Sequence, residues 1–273
     1  MKSILLHVDL TPSSANRLLF SVGLAGRLDA TLTIVFGTGP ANLAPRFAYS
    51  ASAYADVLDV RTWKMQRDEA RHTLERALPS DSAPVAWAEL GGSDVTAALV
   101  QEAAYADLVV LGASEPDMEG LAPRAGFVES VILDSGRPVV VLPAGQGGAA
   151  VFRTVLVAWN GSPQSARAVT AALPLLRIAE RVEVLGWSQA PLAGRFTGID
   201  IGRFLERHGI AATVVRREPA LDVGGEISQA AREINADLVV MGCFGHGRLR
   251  ERVLGGASRS ILRAVAVPTL MAH

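Results

Sequence analysis

The chain of 273 residues has one cysteine, Cys243, so no internal disulfide can staple it and a reducing compartment suits it. Aromatic residues make up only 5% of the sequence, and no basic run is interleaved with them. With a formal net charge of −1 there is no field to gather a polyanion, so nucleic acid is not an expected partner. No apolar stretch reaches the roughly 20 residues of a membrane span. Residues Met1 to Asp9 lack the apolar core and the small-residue cleavage site of an export signal, so a cytoplasmic protein without a membrane partner is expected. Also missing are a Gly-Lys-Ser/Thr phosphate loop, paired catalytic carboxylates, a Ser/His/Asp order and a metal-ligand cluster.

What the chain does have is a globular balance, 49% hydrophobic and 19% charged, and an internal repeat. Residues 2 to 16 lie over 153 to 167, pairing Leu5 with Leu156, Pro12 with Pro163, and Ser14-Ala15 with Ser165-Ala166. The block Ala106-Asp107-Leu108-Val109-Val110-Leu111-Gly112 recurs as Ala236-Asp237-Leu238-Val239-Val240-Met241-Gly242, and the register holds through Pro138 and Pro268. The offset falls from 151 to 130 between the two blocks. The first half therefore carries about 21 extra residues, assigned to the stretch from Gly37 to Val60.

In the second half, apolar strand-length runs alternate with helical spacing. Strands are expected at Val155 to Trp159, Val182 to Trp187, Ala212 to Val215, Leu238 to Gly242 and Val265 to Met271, with helices at Ser162 to Leu176, Ile201 to His208, Gly224 to Ile234 and Ser258 to Ala264. Such alternation implies parallel sheets covered on both faces. Gly145-Gln146-Gly147-Gly148 is a flexible joint, which sets two domains at 1–146 and 151–273.

In open parallel sheets, ligands sit beyond the carboxyl ends of the strands where the winding reverses. Those ends here are Trp159-Asn160 and Met241-Gly242. From Gly242 the sequence runs through Gly245, His246, Arg248, Arg250, Arg252 and Gly255-Gly256 to Ser258 and the last helix. Glycines let backbone N–H groups approach an anion, and a helix N-terminus adds unsatisfied donors. The spacing of Gly242, Gly245 and Gly255 resembles the nucleotide motif of the universal stress protein family. The repeat, the terminal strand with its proline, and Asn160-Gly161-Ser162 at the place of that family's Asp-Gly-Ser extend the likeness across nearly the whole chain.

The resemblance implies two tandem flavodoxin-like, doubly wound α/β domains, each with a mostly parallel five-stranded sheet. It also implies ATP or AMP as ligand, with magnesium left open. Phosphate contacts carry over to Gly242, Gly245, Gly255, Gly256 and Ser258, and adenine contacts to Ala158, Asn160 and Trp187. Gly256 stands where the family has Ser or Thr, with Ser258 a substitute hydroxyl, and Asn160 stands for Asp. Trp159 and Trp187 could equally close a core.

In the first half the loop reads Gly112-Ala113-Ser114-Glu115 and then Ala125-Gly126-Phe127-Val128. Glu115 near a phosphate would repel it by roughly 3 kcal/mol at about 5 Å and an effective dielectric of 20, so this site is expected to be empty of nucleotide. Asp9 reads as a remnant of the family's acid, Cys243 as a structural thiol, and Asp59, Arg61, Lys64, Arg67 and Asp68 as a solvated helix face. The expected function is a nucleotide-binding stress-response protein with unidentified protein partners and at most slow ATP hydrolysis. The alternative is an interaction module with two dead pockets. Family dimers imply that the last strands of the two repeats lie side by side about a pseudo-twofold axis; further assembly into a homodimer is left open.

Overall fold

The computed structural model describes residues 1–37, 53–80, 84–90, 94–115, 118, 121–145, 150, 152–187, 199–218, 222–244 and 256–273. Most of the 37–60 insertion therefore lies outside the described residues, as do positions 146–148 of the joint. Contacts divide the chain into unit 1, Met1–Arg137 with Ala144–Ala150, and unit 2, Pro138–Pro143 with Val151–His273.

Unit 1 runs β1 (Ser3–Val8), α1 (Ser13–Leu28), β2 (Thr31–Phe36), α2 (Ala53–Ala77), β3 (Val85–Glu89), α3 (Val95–Ala103), β4 (Leu108–Gly112) and α4 (Phe127–Asp134). Its strands lie in the order β3, β2, β1, β4 and are parallel. Unit 2 begins with β5 (Val139–Leu142) and continues with β6 (Thr154–Trp159), α5 (Pro163–Leu176), β7 (Arg181–Trp187), α6 (Ile201–Arg207), β8 (Ala212–Arg217), α7 (Val223–Glu233), β9 (Leu238–Gly242), α8 (Gly256–Arg263) and β10 (Thr269–Ala272). The order β8, β7, β6, β9, β10 is parallel. Last strand meets last strand: β5 runs antiparallel to β10, with Val140 opposite Leu270. The chain is α/β, with flavodoxin-like winding in both repeats.

The apolar runs form central strands because both of their faces are covered. Leu108 to Leu111 and Leu238 to Met241 are buried without alternation, as in a sheet flanked by helices. Each repeat ties its central strands together in the same way. The Asp107 carboxylate accepts the N–H groups of Lys2 at 2.5 Å and Ser3 at 3.1 Å, and Asp237 accepts those of Arg153 and Thr154, both at 2.9 Å.

Helix starts follow local chemistry. Ser162 caps α5 by accepting from the Ser165 N–H, with Pro163 in the first turn, and Asp94, Asp200 and Asp222 cap α3, α6 and α7. Two expected spans shift. The final strand begins at Thr269 rather than Val265, since Pro268 has no N–H to give the ladder. Strand β8 continues to Arg217, because Arg216 and Arg217 keep pairing with Gly186 and Trp187. Arg67 is not merely solvated, as its guanidinium bridges Glu89 on β3 at 2.7 Å and Asp68 at 2.6 Å.

Candidate functional site

Winding reverses between β1 and β4 in unit 1 and between β6 and β9 in unit 2, and the carboxyl ends of these strands are where a ligand would sit. In unit 2, β6 lies between β7 and β9, with Ala158 opposite both Leu185 and Met241, and Trp159 opposite Gly186. Strand β7 ends at Trp187, one residue past the partner of Trp159, and β9 ends at Gly242, one residue past the partner of Ala158. The register brings these expected residues to one edge.

Their side chains are set as follows. Ala158 is buried in β6. Asn160 is exposed, and its Oδ1 accepts the Ser162 N–H at 3.1 Å, which leaves the donating Nδ2 end for anything outside. Trp187 is only 8% exposed, and its indole N–H donates to Glu226 of α7 at 2.6 Å. It is a buried strand-end residue with its polar atom already engaged. Glu226 is a partner that no short-range spacing in the sequence could reveal.

Gly242 has a packing reason to be glycine. A side chain there would collide with the Ser165 nitrogen and would lie 2.5 Å from the Gln164 carbonyl carbon, because the N-terminus of α5 rests on the end of β9. The chain then turns through Cys243 and Phe244, which takes a positive φ of 58°. Burial pushes the Cys243 thiol up to about 12, and its S–H donates to the Ala272 carbonyl at 3.3 Å, so it is a structural group. The Phe244 N–H donates to Ser258 Oγ at 3.3 Å, tying the first turn of α8 to the exit of β9.

Among the described residues nothing lies within 4 Å of where a Cβ on Gly256 would stand, and the first turn of α8 carries no acid. The N–H groups and positive dipole end of a helix start suit a phosphate group. Gly224 brings α7 close beside α8: a Cβ there would stand 3.0 Å from the Ala257 carbonyl. Gly245 and Gly255 lie outside the described residues, as do His246, Arg248, Arg250 and Arg252. Among the described residues, no group of three or more His, Cys, Asp or Glu side chains is placed to hold a metal ion.

Unit 1 has a cleft at the corresponding edge, lined among others by His7, Asp9, Glu115, Arg124, Phe127 and Glu129. Its floor is spoken for by the chain itself. Asp9 Oδ1 accepts the Thr11 N–H at 2.9 Å and the Thr11 hydroxyl at 2.6 Å, and pairs with Arg17 at 2.7 Å. Burial alone would push the Asp9 carboxyl up; Arg17, then His7 and the Thr11 donors, outweigh it and hold the carboxyl below its ordinary range. Asp9 is therefore more than a remnant. His7 donates from Nε2 to the Gly37 carbonyl at 3.2 Å, with its ring 4.8 Å from that of Phe127, and burial pushes its pKa down from 6.5 to about 4. The Leu10 N–H donates to the Leu121 carbonyl at 3.1 Å, which ties the segment after β1 to the one that leads into α4.

Comparison with known proteins adds to this geometry. The profile of the universal stress protein family matches residues 204–273. A universal stress protein of Mycobacterium tuberculosis is 25% identical over 288 aligned positions, which cover 92% of this chain and 96% of that protein. The crystal structure of a universal stress protein from Archaeoglobus fulgidus shares the fold at a TM-score of 0.69 and 18% identity, covering 99% of this chain and 95% of that one. A Thermus aquaticus universal stress protein encoded beside a sulfhydrylase is 32% identical over 135 positions, which cover 98% of its length and 44% of this chain. With its repeated winding and these matches, the chain belongs to the universal stress protein family.

Proposed function

We propose that unit 2 binds one adenine nucleotide, ATP or AMP, at the carboxyl ends of β6, β7 and β9, and that occupancy alters the contacts of the protein with other proteins. The supporting observation is the acid-free first turn of α8, where among the described residues nothing lies within 4 Å of a Cβ on Gly256, held against the exit of β9 by the Phe244–Ser258 hydrogen bond. Phosphate oxygens take N–H groups at Gly256 and along the loop that includes Gly242, Gly245 and Gly255, with Ser258 supporting the turn. The base lies against Ala158 and Trp187. Asn160 offers it the Nδ2 donor, which suits a ring nitrogen acceptor rather than the exocyclic amine.

Hydrolysis is slow or absent in this reading, since the expected phosphate residues supply hydrogen-bond donors and no side chain suited to activating a water. A magnesium ion, where present, would be held chiefly by the phosphates. We place the protein in the cytoplasm; among the described residues no helix is long and apolar enough to cross a membrane. The interaction-module reading draws on a different observation, the burial of Trp187 and the commitment of its N–H to Glu226.

Calorimetric titration of the full chain with ATP and with AMP, alongside an assay of phosphate release, separates these readings. Saturable binding with no more than slow release supports the nucleotide reading. No heat at millimolar nucleotide supports the interaction module, and rapid turnover would contradict both.

A further inference from the structure

In unit 1, the face of α1 toward the carboxyl ends of β1 and β4 buries a full positive charge. Arg17 is 2% exposed and Asp9 4%. The guanidinium is clamped between three groups: Nη2 reaches Asp9 Oδ1 and Ser14 Oγ, each at 2.7 Å, while Nη1 lies where a Cβ on Gly112 would be. Among the described residues its Nε has no hydrogen-bond partner. A buried charge with a donor unsatisfied is costly and persists only where something specific holds it.

The second repeat shows the alternative. At the offset of 151, Asp9 corresponds to Asn160 and Arg17 to Ala168, so both charges are absent together. Ala168 is fully buried, and the strand-end glycine there, Gly242, is met by the backbone of α5 at Gln164 and Ser165. The equivalent Gly112 is met by the Arg17 side chain. One gap is filled by a helix backbone in unit 2 and by a guanidinium in unit 1.

We propose that the Arg17 guanidinium is the resident occupant of the Asp9 acceptor site, a ligand supplied by the chain itself, and that Arg17 determines that the crevice between the ends of β1 and β4 takes no external ligand. The inference rests on the same reading of the strand ends as the ligand-facing edge that underlies the nucleotide proposal. It differs in chemistry, because the Asp9 site holds a planar cation, and its test uses no nucleotide.

The test is a double-mutant cycle on the full chain with Asp9→Asn, Arg17→Ala and the double variant, followed by thermal unfolding. Removing Arg17 alone strands a buried carboxylate and should lower the unit 1 transition by roughly 10 °C. The double variant reproduces the Asn and Ala of the second repeat and should lose less than the Arg17→Ala variant. Methylguanidinium at about 10 mM should then raise the transition of Arg17→Ala by a few degrees, and leave the wild type and the double variant unmoved. If Arg17→Ala fails to fold while the double variant folds, the coupling is established all the same. A double variant no more stable than Arg17→Ala, or methylguanidinium acting equally on all three proteins, would overturn the proposal.

Discussion

At the scale of single residues, burial decides the chemistry more than residue type does. His7 is the clearest case, since burial holds its pKa at about 4 against an ordinary 6.5, even though the Asp9 charge and the Gly37 carbonyl pull it upward. Between those two values the unfolded chain binds a proton that the folded chain does not. Stability therefore falls as pH drops from 6.5 to about 4, by at most about 3 kcal/mol from this group. Urea unfolding across this range should show that slope in the wild type and a flatter one in His7→Ala; equal slopes would remove His7 as the cause. Cys243 should likewise resist alkylation in the native protein and react only on unfolding, and rapid native labelling would refute its assignment as a closed structural thiol. Residue identities conveyed part of this. Cys243 reads as inert from the absence of a partner cysteine, and Asp9 stands out as an acid kept in the half without the glycine loop. The role of Asp9 was hidden because its partner is Arg17, one position beyond the pairing of residues 2–16 with 153–167. Following that pairing one residue further, to Ala168, is the signal that exposes the exchange of a charged pair for a neutral one.

Elements show why a glycine spacing can be read correctly and still be incomplete. Gly242 and Gly256 both belong to the pattern that suggests an anion site, yet among the described residues only Gly242 meets backbone that obliges it to be glycine. Gly242→Ala drives a methyl group into the backbone at the start of α5 and should cost about 3 kcal/mol. Gly256→Ala meets nothing within 4 Å among the described residues and should change folding stability by less than about 0.5 kcal/mol. Chemical denaturation of the two variants checks the contrast, and equal costs would contradict the packing of α5 on β9. The cap of α7 offers a third comparison: Asp222→Ala removes the acceptor for the Gly225 N–H, at 3.0 Å, and should cost about 1 kcal/mol. Strand β9 and helix α5 were legible because an unbroken apolar run and a Ser-Pro start are strong local signals. The last strand was less so. Apolar periodicity alone extends it back to Val265, and only the missing N–H of Pro268 explains its later start.

For the whole molecule, the repeat made the fold readable. Two blocks in one register implied the same winding twice, and the same aspartate tie, at Asp107 and Asp237, recurs in both units. What the repeat could not convey is that the carboxyl ends of the central strands are filled differently in the two units, since that depends on contacts between elements far apart in sequence. In unit 2 the first turn of α8 carries no acid and, among the described residues, nothing lies within 4 Å of a Cβ on Gly256, whereas in unit 1 the cleft that Glu115 lines includes Asp9, buried in an ion pair with Arg17. The account therefore predicts one nucleotide per chain, bound in the second repeat, and a titration endpoint of two would contradict it. Hydrogen exchange of the full chain with and without saturating ATP tests this most directly, because it reports which amides the nucleotide covers. Protection is predicted at residues 160–165, 242–244 and 256–260, with residues 9–14, 112–115 and 126–130 unchanged. Protection of the unit 1 segments, or of neither set at millimolar ATP, would contradict the account.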